Sequence, residues 1–553
     1  MIAVNPLAVA TARAKVDEAT LPKPAGSYLP PARFALLAPP DTDTVALTAA
    51  VLAAFADDGA RVTPLSPLDQ RVLVLTFPRR LLRADEAPAF AATYALIDAF
   101  RLEGAEPELH TDFFPVPDTR RAGPVNEGID DFPPGCWAPA EAALDATRRW
   151  ALEKINIPAA WDWSTQHGRP SRGEGIVIAQ PDTGVTDHPD IRGVVRASSY
   201  DLIDDDTDAT DPLGYTGNPS HGTGTASVAL APEGERMSGS APRARHIPIR
   251  TVHSVIRVSQ VRVAQAIDFA VANGAHVITM SLGGLPSISL YRALRRAIDK
   301  NLIVLAAAGN CVGTVVWPAR YDDCIAIGGS ASDDGAWRGS CRGSDVDVSA
   351  PAQNVFRARS SPATGGGLDT VVEQGQGTSF AVALTAGVAA CWLAHHGRDA
   401  VIAAAQRQGI SVQALFNRLL RISARKPTGW NTAKMGTGVV DALALLQTDL
   451  DFRIGSEGTF STSAPPALGV RRLVLETSPG GAAAQSDIDW DRYGQEIALI
   501  ALRRRKRPEP ATRGLEAAEA PPPAPSAELS RSLSEAPALR AALGLSTPPN
   551  PGE

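Results

Sequence analysis

Between residues 150 and 446, short apolar runs fit for strands alternate with stretches of helical period, and this alternation constrains the fold more than any other feature. Residues 175–180, 276–281 and 302–308 read as buried strands, and residues 261–273 as a helix. Strands joined through helices cannot pair as hairpins. They build βαβ units, so the expected fold class is α/β, a parallel sheet covered by helices on both faces.

Residues 33–114 follow another order. A strand at 33–38 (RFALLA) precedes a helix at 43–56, with Val45, Leu47, Ala50, Val51, Ala54 and Phe55 on one face and Gly59 as a stop. A weak strand at 61–64 and a strong one at 71–77 are split by Ser66 and Pro67; a helix at 86–101 and a last strand at 108–114 follow. The order β-α-β-β-α-β predicts a small ferredoxin-like α+β domain. Residues 1–32 read as a loosely ordered leader, and residues 115–149, punctuated by Pro and Gly, as a linker. The C-terminal extension, 448–553, is expected to be partly disordered. It offers an amphipathic helix at 489–502, a marginal helix at 527–543, and between them a Pro-Ala-Glu stretch too poor in apolar surface to offset chain entropy. The basic run 503–507 reads either as a solvated helix end or as a contact for an anionic surface or partner.

Composition serves to exclude. Lys plus Arg number 53 against 60 Asp plus Glu, a net charge of −7, so no basic field exists to bind nucleic acid. No transmembrane segment is read from the sequence. The first residues lack a basic stretch followed by an apolar core, so no signal peptide is expected; the expected location is cytoplasmic, with export by another route left open. Five cysteines cannot all pair within one chain. Cys311 and Cys324 flank a loop and either pair or stay reduced, the reduced state being preferred, and Cys391 reads as a buried small hydrophobe.

Four segments carry chemistry. IVIAQPDTG (176–184) delivers Asp182 to the C-terminal end of a strand, where open parallel sheets place ligand sites, although such an aspartate can equally cap a helix. NPSHGTGTASVAL (218–230) sets His221 near a helix start, with Gly222 and Gly224 admitting another backbone. QGQGTSFAVALTAGVAA (374–390) puts Ser379 near the first turn of a small-residue helix, either as an inert N-cap or as a hydroxyl with space cleared around it. LIVLAAAGN (302–310) ends a buried strand at Asn310, whose amide can donate to a developing oxyanion. A serine needs a base to remove its proton, and the base needs a carboxylate to fix its tautomer. Asp182, His221 and Ser379, 39 and 158 residues apart, supply the three in the chain order of subtilisin.

With WALEKINIPAAWD (150–162) and VITMSLGG (277–284) also in order, and GTGVVDALALL (436–446) trailing, the region 150–447 resembles the catalytic domain of the subtilisin-like serine peptidases, the subtilases. The resemblance implies a triad of Asp182, His221 and Ser379 with Asn310 as oxyanion donor. It implies that Ser281, Leu282, Gly283, Ala308 and Gly309 line the S1 cleft and pair with substrate backbone as an added strand. The function implied is a serine endopeptidase acting on peptides or proteins through an acyl-enzyme. It would be made as a zymogen whose own N-terminal domain is the intramolecular inhibitor. The linker would hold a processing site, or else tether a domain that is never released. Two other readings keep the site: a peptide-maturing acyl transferase or cyclase using the same triad, and an autoinhibited binding module. The small residues of 306–309 predict an open S1 floor and a preference for apolar or large uncharged P1 side chains. No cofactor is required. The acidic loop 204–211, with Asp204, Asp205, Asp206, Asp208 and Asp211, either binds calcium or is simply solvated. The sequence departs from the family pattern at Gly224, where His is usual, and at Ala383 and Leu384, where Pro and often His stand; this puts local packing in question.

Overall fold

The computed structural model describes residues 5–25, 30–109, 147–215, 217–255, 259–452, 466–477, 481–504 and 524–545. A seven-stranded sheet forms the centre, in the order Val348–Pro351, Ile325–Ser330, Ile303–Ala307, Val277–Met280, Val177–Asp182, Arg245–Arg250, Tyr200–Asp201. Every neighbouring pair is parallel. Side chains alternate along each strand, and both faces are apolar. Val177, Ala179, Ile278, Met280, Val304 and Ala306 meet the helices Gln260–Ala272 and Ile288–Asp299, while Ile178, Val277, Ile303 and Leu305 meet the helix Thr378–His396. A parallel sheet buried on both sides needs this near-continuous apolar run. Among the described residues, Thr378–His396 is the one helix long and apolar enough to cross a membrane, and its apolar window lies wholly inside the protein.

The N-terminal unit is a four-stranded antiparallel sheet, ordered Arg61–Ser66, Asp69–Phe77, Ala32–Leu37, Gly104–Pro107, with the helices Thr44–Ala54 and Ala87–Phe100. Three expectations change. The leader is not loose: Pro6–Ala19 is a helix capped by the Asn5 side chain, and Ala12, Val16 and Ala19 are buried in the core it shares with Ala87–Phe100. The last strand is Gly104–Pro107, because its pairing with Phe34–Leu37 fixes the register; residues 110–114 lie outside the described residues. Val45 is 79% exposed, since only Leu47 and Val51 of that helix are buried.

One face of this sheet (Phe34, Leu36, Leu73, Leu75) covers its own helices, and the other (Ala35, Leu37, Val72, Val74) joins the core of the larger unit. Polar contacts pin the junction. Glu106 accepts from Ser287 Oγ (2.6 Å), Ile288 N (2.7 Å) and Ser289 Oγ (2.7 Å) at the N-terminus of Ile288–Asp299, and Asp69 accepts from Arg292 at 2.8 Å.

The C-terminal extension is more ordered than its composition predicts. Pro466–Thr477, Trp490–Arg504, Ala527–Ser534 and Pro537–Ala542 are helices, and Ile497–Leu502, Leu529 and Leu533 are buried. Most of the expected Pro-Ala-Glu disorder falls outside the described residues. Arg503 is no free helix end; it pairs with Glu86, as Arg492 does with Asp98. Residues 505–507 lie outside the described residues. Cys391 is fully buried, and Cys324 is a buried thiol outside any disulfide. Cys311 is disulfide-bonded, so the 311–324 pairing is not made and the chain is not fully reduced.

Candidate active site

Asp182 ends its strand at the sheet's C-terminal edge, and His221 begins the helix His221–Leu230. The strand and helix can approach because position 222 is glycine: a Cβ there would lie 2.2 Å from the Gly184 carbonyl oxygen. His221 Nδ1 is 2.8 Å from Asp182 Oδ1, and Nε2 is 3.2 Å from Ser379 Oγ. An ionised carboxylate only accepts, so Nδ1 carries the proton and Nε2 is left as a base facing the serine. Asp182 accepts further from the Thr183 amide (2.7 Å) and the Thr225 hydroxyl (3.2 Å). It caps no helix. Ser379 is no N-cap either: that position is Gly377, whose φ of 151° suits glycine, and all three residues of the set are buried.

Asn310 is oriented by its neighbour. Its Oδ1 accepts from the Thr378 amide at 3.0 Å and the Thr378 hydroxyl at 2.8 Å. An amide N–H can only donate, so the oxygen must face Thr378 and Nδ2 is the end left to donate. Ser379 N–H lies in the first turn of its helix, where backbone donors have no intrahelical acceptor. A Cβ built on Gly377 would lie 3.4 Å from Asn310 Nδ2 and 3.7 Å from Ser379 N, so both donors border the same small space.

The cleft residues are arranged differently from the expectation. Ser281 Oγ donates to the Ser379 carbonyl at 3.1 Å, so this side chain braces the backbone of Ser379. Leu282 packs into the core, and Ala308 is fully buried, its N–H donating to Ile327 O at 2.9 Å and its carbonyl accepting from the Val316 amide at 3.1 Å. Gly283 N–H donates to the Val255 carbonyl at 3.0 Å. A substrate strand added there must displace Val255, whose amide is itself held by Asn218 Oδ1 at 3.1 Å.

Several supporting residues escaped the sequence reading. Thr183 Oγ1 donates to Asp211 (2.8 Å) and accepts from the Gly222 amide (3.1 Å); Asp211 also accepts from Ser220 N–H at 2.8 Å. One carboxylate thus ties the residue after Asp182 to the residue before His221. Burial pushes the Asp211 carboxyl above its ordinary range, against the pull of these donors. Behind them, Gln180 donates to Gly222 O at 3.0 Å and accepts from His246 at 2.8 Å; burial lowers the His246 pKa to about 3, so this histidine is neutral. Thr225 was legible as the residue four along from His221, on one helix face. Asp211 was read only as one aspartate of the acidic loop, because its partner Thr183 lies 28 positions away in sequence.

Gly224 has a partner for its missing side chain. A Cβ there would meet Arg357 Cδ at 3.2 Å, and the buried Arg357 guanidinium lies 5.7 Å from the Phe380 ring centre. The helix carrying Ser379 runs unbroken through Ala383 and Leu384. In the acidic loop, Arg250 pairs with Asp201 and, at 2.5 Å, with Asp204, while Asp211 is turned to Thr183. Among the described residues no group of three or more His, Cys, Asp or Glu is arranged to hold a metal.

Comparison with known proteins places these residues in context. The profile described as the subtilase family matches residues 173–432. Thermitase of Thermoactinomyces vulgaris is 34% identical over 258 residues, 46% of this chain and 85% of the relative. Subtilisin Savinase of Lederbergia lenta is 30% identical over 209 residues, 37% of this chain and 72% of the relative. The crystal structure of fervidolysin from Fervidobacterium pennivorans, a keratinolytic enzyme related to subtilisin, superposes with a TM-score of 0.52 at 22% identity. The match covers 77% of this chain and 62% of that one.

Proposed function

The chain belongs to the subtilase family of serine peptidases, and from that premise we propose that it is an endopeptidase whose nucleophile is Ser379. The observation that carries this reading is the continuous line Asp182 Oδ1, His221 Nδ1, His221 Nε2, Ser379 Oγ, with steps of 2.8 Å and 3.2 Å. His221 takes the serine proton as Oγ attacks the scissile carbonyl, and Asp182 stabilises the imidazolium that forms. The oxyanion is met by Asn310 Nδ2 and the Ser379 amide; the side-chain donor is worth about 10²–10³ in rate, a magnitude measured on subtilisin itself. His221 then returns the proton to the leaving amine, and water deacylates the serine by the same route reversed.

In this reading the chain is a zymogen and its N-terminal unit is the intramolecular inhibitor. Support comes from the buried apolar junction and from Glu106 on the Ile288–Asp299 helix end. Processing is assigned to the linker 115–149, of which residues up to 146 lie outside the described residues. No metal is assigned, since Arg250 already supplies positive charge to Asp201 and Asp204. The Cys311 disulfide fits an oxidising compartment better than the cytoplasm first expected. A second reading, an autoinhibited binding module, draws on one observation, the Gly283–Val255 bond that closes the cleft edge.

Intact-mass analysis of the full chain beside Ser379→Ala separates these. The wild type should lose its N-terminal unit by cleavage between residues 115 and 149, and the variant should stay whole. Equal cleavage of both would remove Ser379 from the mechanism; an uncleaved wild type that does not label at Ser379 would favour the binding module.

A further inference from the structure

The C-terminal extension grips both units of the chain, although in sequence it follows the catalytic unit and lies far from the N-terminal one. On the catalytic side, Glu476 of the Pro466–Thr477 helix accepts from Thr314 Oγ1 at 2.7 Å and pairs with the buried Arg320 at 3.1 Å. Arg472 of the same helix pairs with Asp345 at 2.9 Å, and Gln495 of the Trp490–Arg504 helix donates to the Pro286 carbonyl at 3.0 Å.

On the other side, the Trp490–Arg504 helix binds the N-terminal helix Ala87–Phe100 at three points. Arg503 meets Glu86 with both terminal nitrogens, at 2.9 Å and 2.5 Å, and Glu86 is buried. Glu496 accepts from Tyr94 Oη at 2.7 Å with both side chains buried, and the Tyr94 ring meets Tyr493 edge-on at 5.0 Å. Arg492 pairs with Asp98 at 2.9 Å and 3.0 Å. Asp98 is exposed, so this third pair is the weakest of the three. Glu496 is also fixed from behind: it accepts from the Ser526 hydroxyl at 2.9 Å, where the helix Ala527–Ser534 begins, and that helix packs on Ala87–Phe100 as well. Pulling the N-terminal unit away would leave the Glu86 and Glu496 carboxyls without these donors, the costly way to break a buried polar contact.

We propose that the Trp490–Arg504 helix is a binding surface for the chain's own N-terminal unit, and that it keeps this unit bound as a separate subunit after the linker is cut. A cut between residues 115 and 149 leaves the extension joined to the catalytic unit, so every contact above survives it. The N-terminal unit then stays held on two sides, by the apolar core it shares with the catalytic unit and by the extension. Cleavage and release are separate events, and release requires the extension to let go. The proposal rests on the zymogen reading for the cut, not for the hold.

The test therefore makes the cut without the chain's own activity. The full chain, as Ser379→Ala, carries a site for an added sequence-specific protease after residue 118. The fragment 1–118 contains no cysteine, so no disulfide holds it. After the cut, native mass spectrometry follows how fast the fragment leaves on dilution. It should stay bound in the parent chain. Arg503→Ala should speed its loss about 100-fold. Arg492→Glu should speed it about ten-fold, and adding Asp98→Arg should slow it again, a rescue that general loss of folding would not give. A fragment that leaves the parent chain as fast as it leaves Arg503→Ala, or an Arg492→Glu rate that Asp98→Arg does not reverse, would overturn the proposal. A wild type that never cuts itself would defeat the zymogen reading and leave this measurement standing.

Discussion

Asp211 accepts a hydrogen bond from Thr183 Oγ1 at 2.8 Å, and the same hydroxyl oxygen accepts from the amide of Gly222. The contact joins the turn after Asp182 to the first turn of the helix that begins at His221. Replacing the carboxylate by an amide leaves one buried donor facing another and costs about 1–3 kcal/mol. Asp211→Asn should lower kcat about ten-fold with KM little changed, alongside a fall in melting temperature. An unchanged kcat would show that the network does not position the triad.

Gly222 tests the same junction sterically. A methyl at this position would sit 2.2 Å from a backbone oxygen that cannot move without moving Asp182's turn. Gly222→Ala should therefore destabilise the fold by about 1–3 kcal/mol and cut kcat more than 100-fold, on the order expected when a buried hydrogen-bonded pair is pushed apart. Gly224→Ala, whose Cβ would lie 3.2 Å from Arg357 Cδ and no closer than 3.4 Å to the Ala358 carbonyl oxygen, should be far milder. Equal effects from the two would contradict the geometry.

Much of the chain's layout was legible before its structure. The sheet was readable because Val177, Ile178, Val304 and Leu305 are all apolar although neighbours face opposite ways, which only a sheet buried on both faces requires. Asp182, His221, Ser379 and Asn310 stand out by residue type, order and the small residues around them, and the structure brings them within reach of one another. What stayed hidden depends on distant partners. Tyr94 and Glu496 are 402 positions apart in sequence yet 2.7 Å apart in space, so the extension's anchoring had no local signature.

Glu496 gives the anchoring a pH dependence. It lies between Tyr94, which donates at 2.7 Å, and Ser526, with Glu528 also nearby; burial raises its pKa from an ordinary 4.5 to about 7. A carboxyl raised in the folded state favours folding most when protonated. That contribution is full below about pH 4.5 and is lost as pH rises through about 7. The wild-type melting temperature should fall relative to Glu496→Gln over this window and run parallel above it. Parallel curves throughout would mean that Glu496 titrates normally.

Arg250 predicts insensitivity to metal removal. Its guanidinium balances Asp201, whose side chain is 2% exposed, and Asp204. Arg250→Ala strands a buried charge and should cost about 3–5 kcal/mol. Chelation by EDTA should leave the wild-type melting temperature where it was. A large fall with EDTA, reversed by calcium, would return the acidic loop to the role of a metal site.

The central claim, that His221 activates Ser379, is tested most directly by mapping a fluorophosphonate adduct by peptide mass spectrometry in the wild type and in His221→Ala. The adduct should lie on Ser379, and its rate of formation should drop by at least about 10⁴-fold in the variant; in subtilisin itself, loss of the histidine costs about 10⁶ in kcat. An adduct on another serine, or equally fast labelling of Ser379 without His221, would contradict the account.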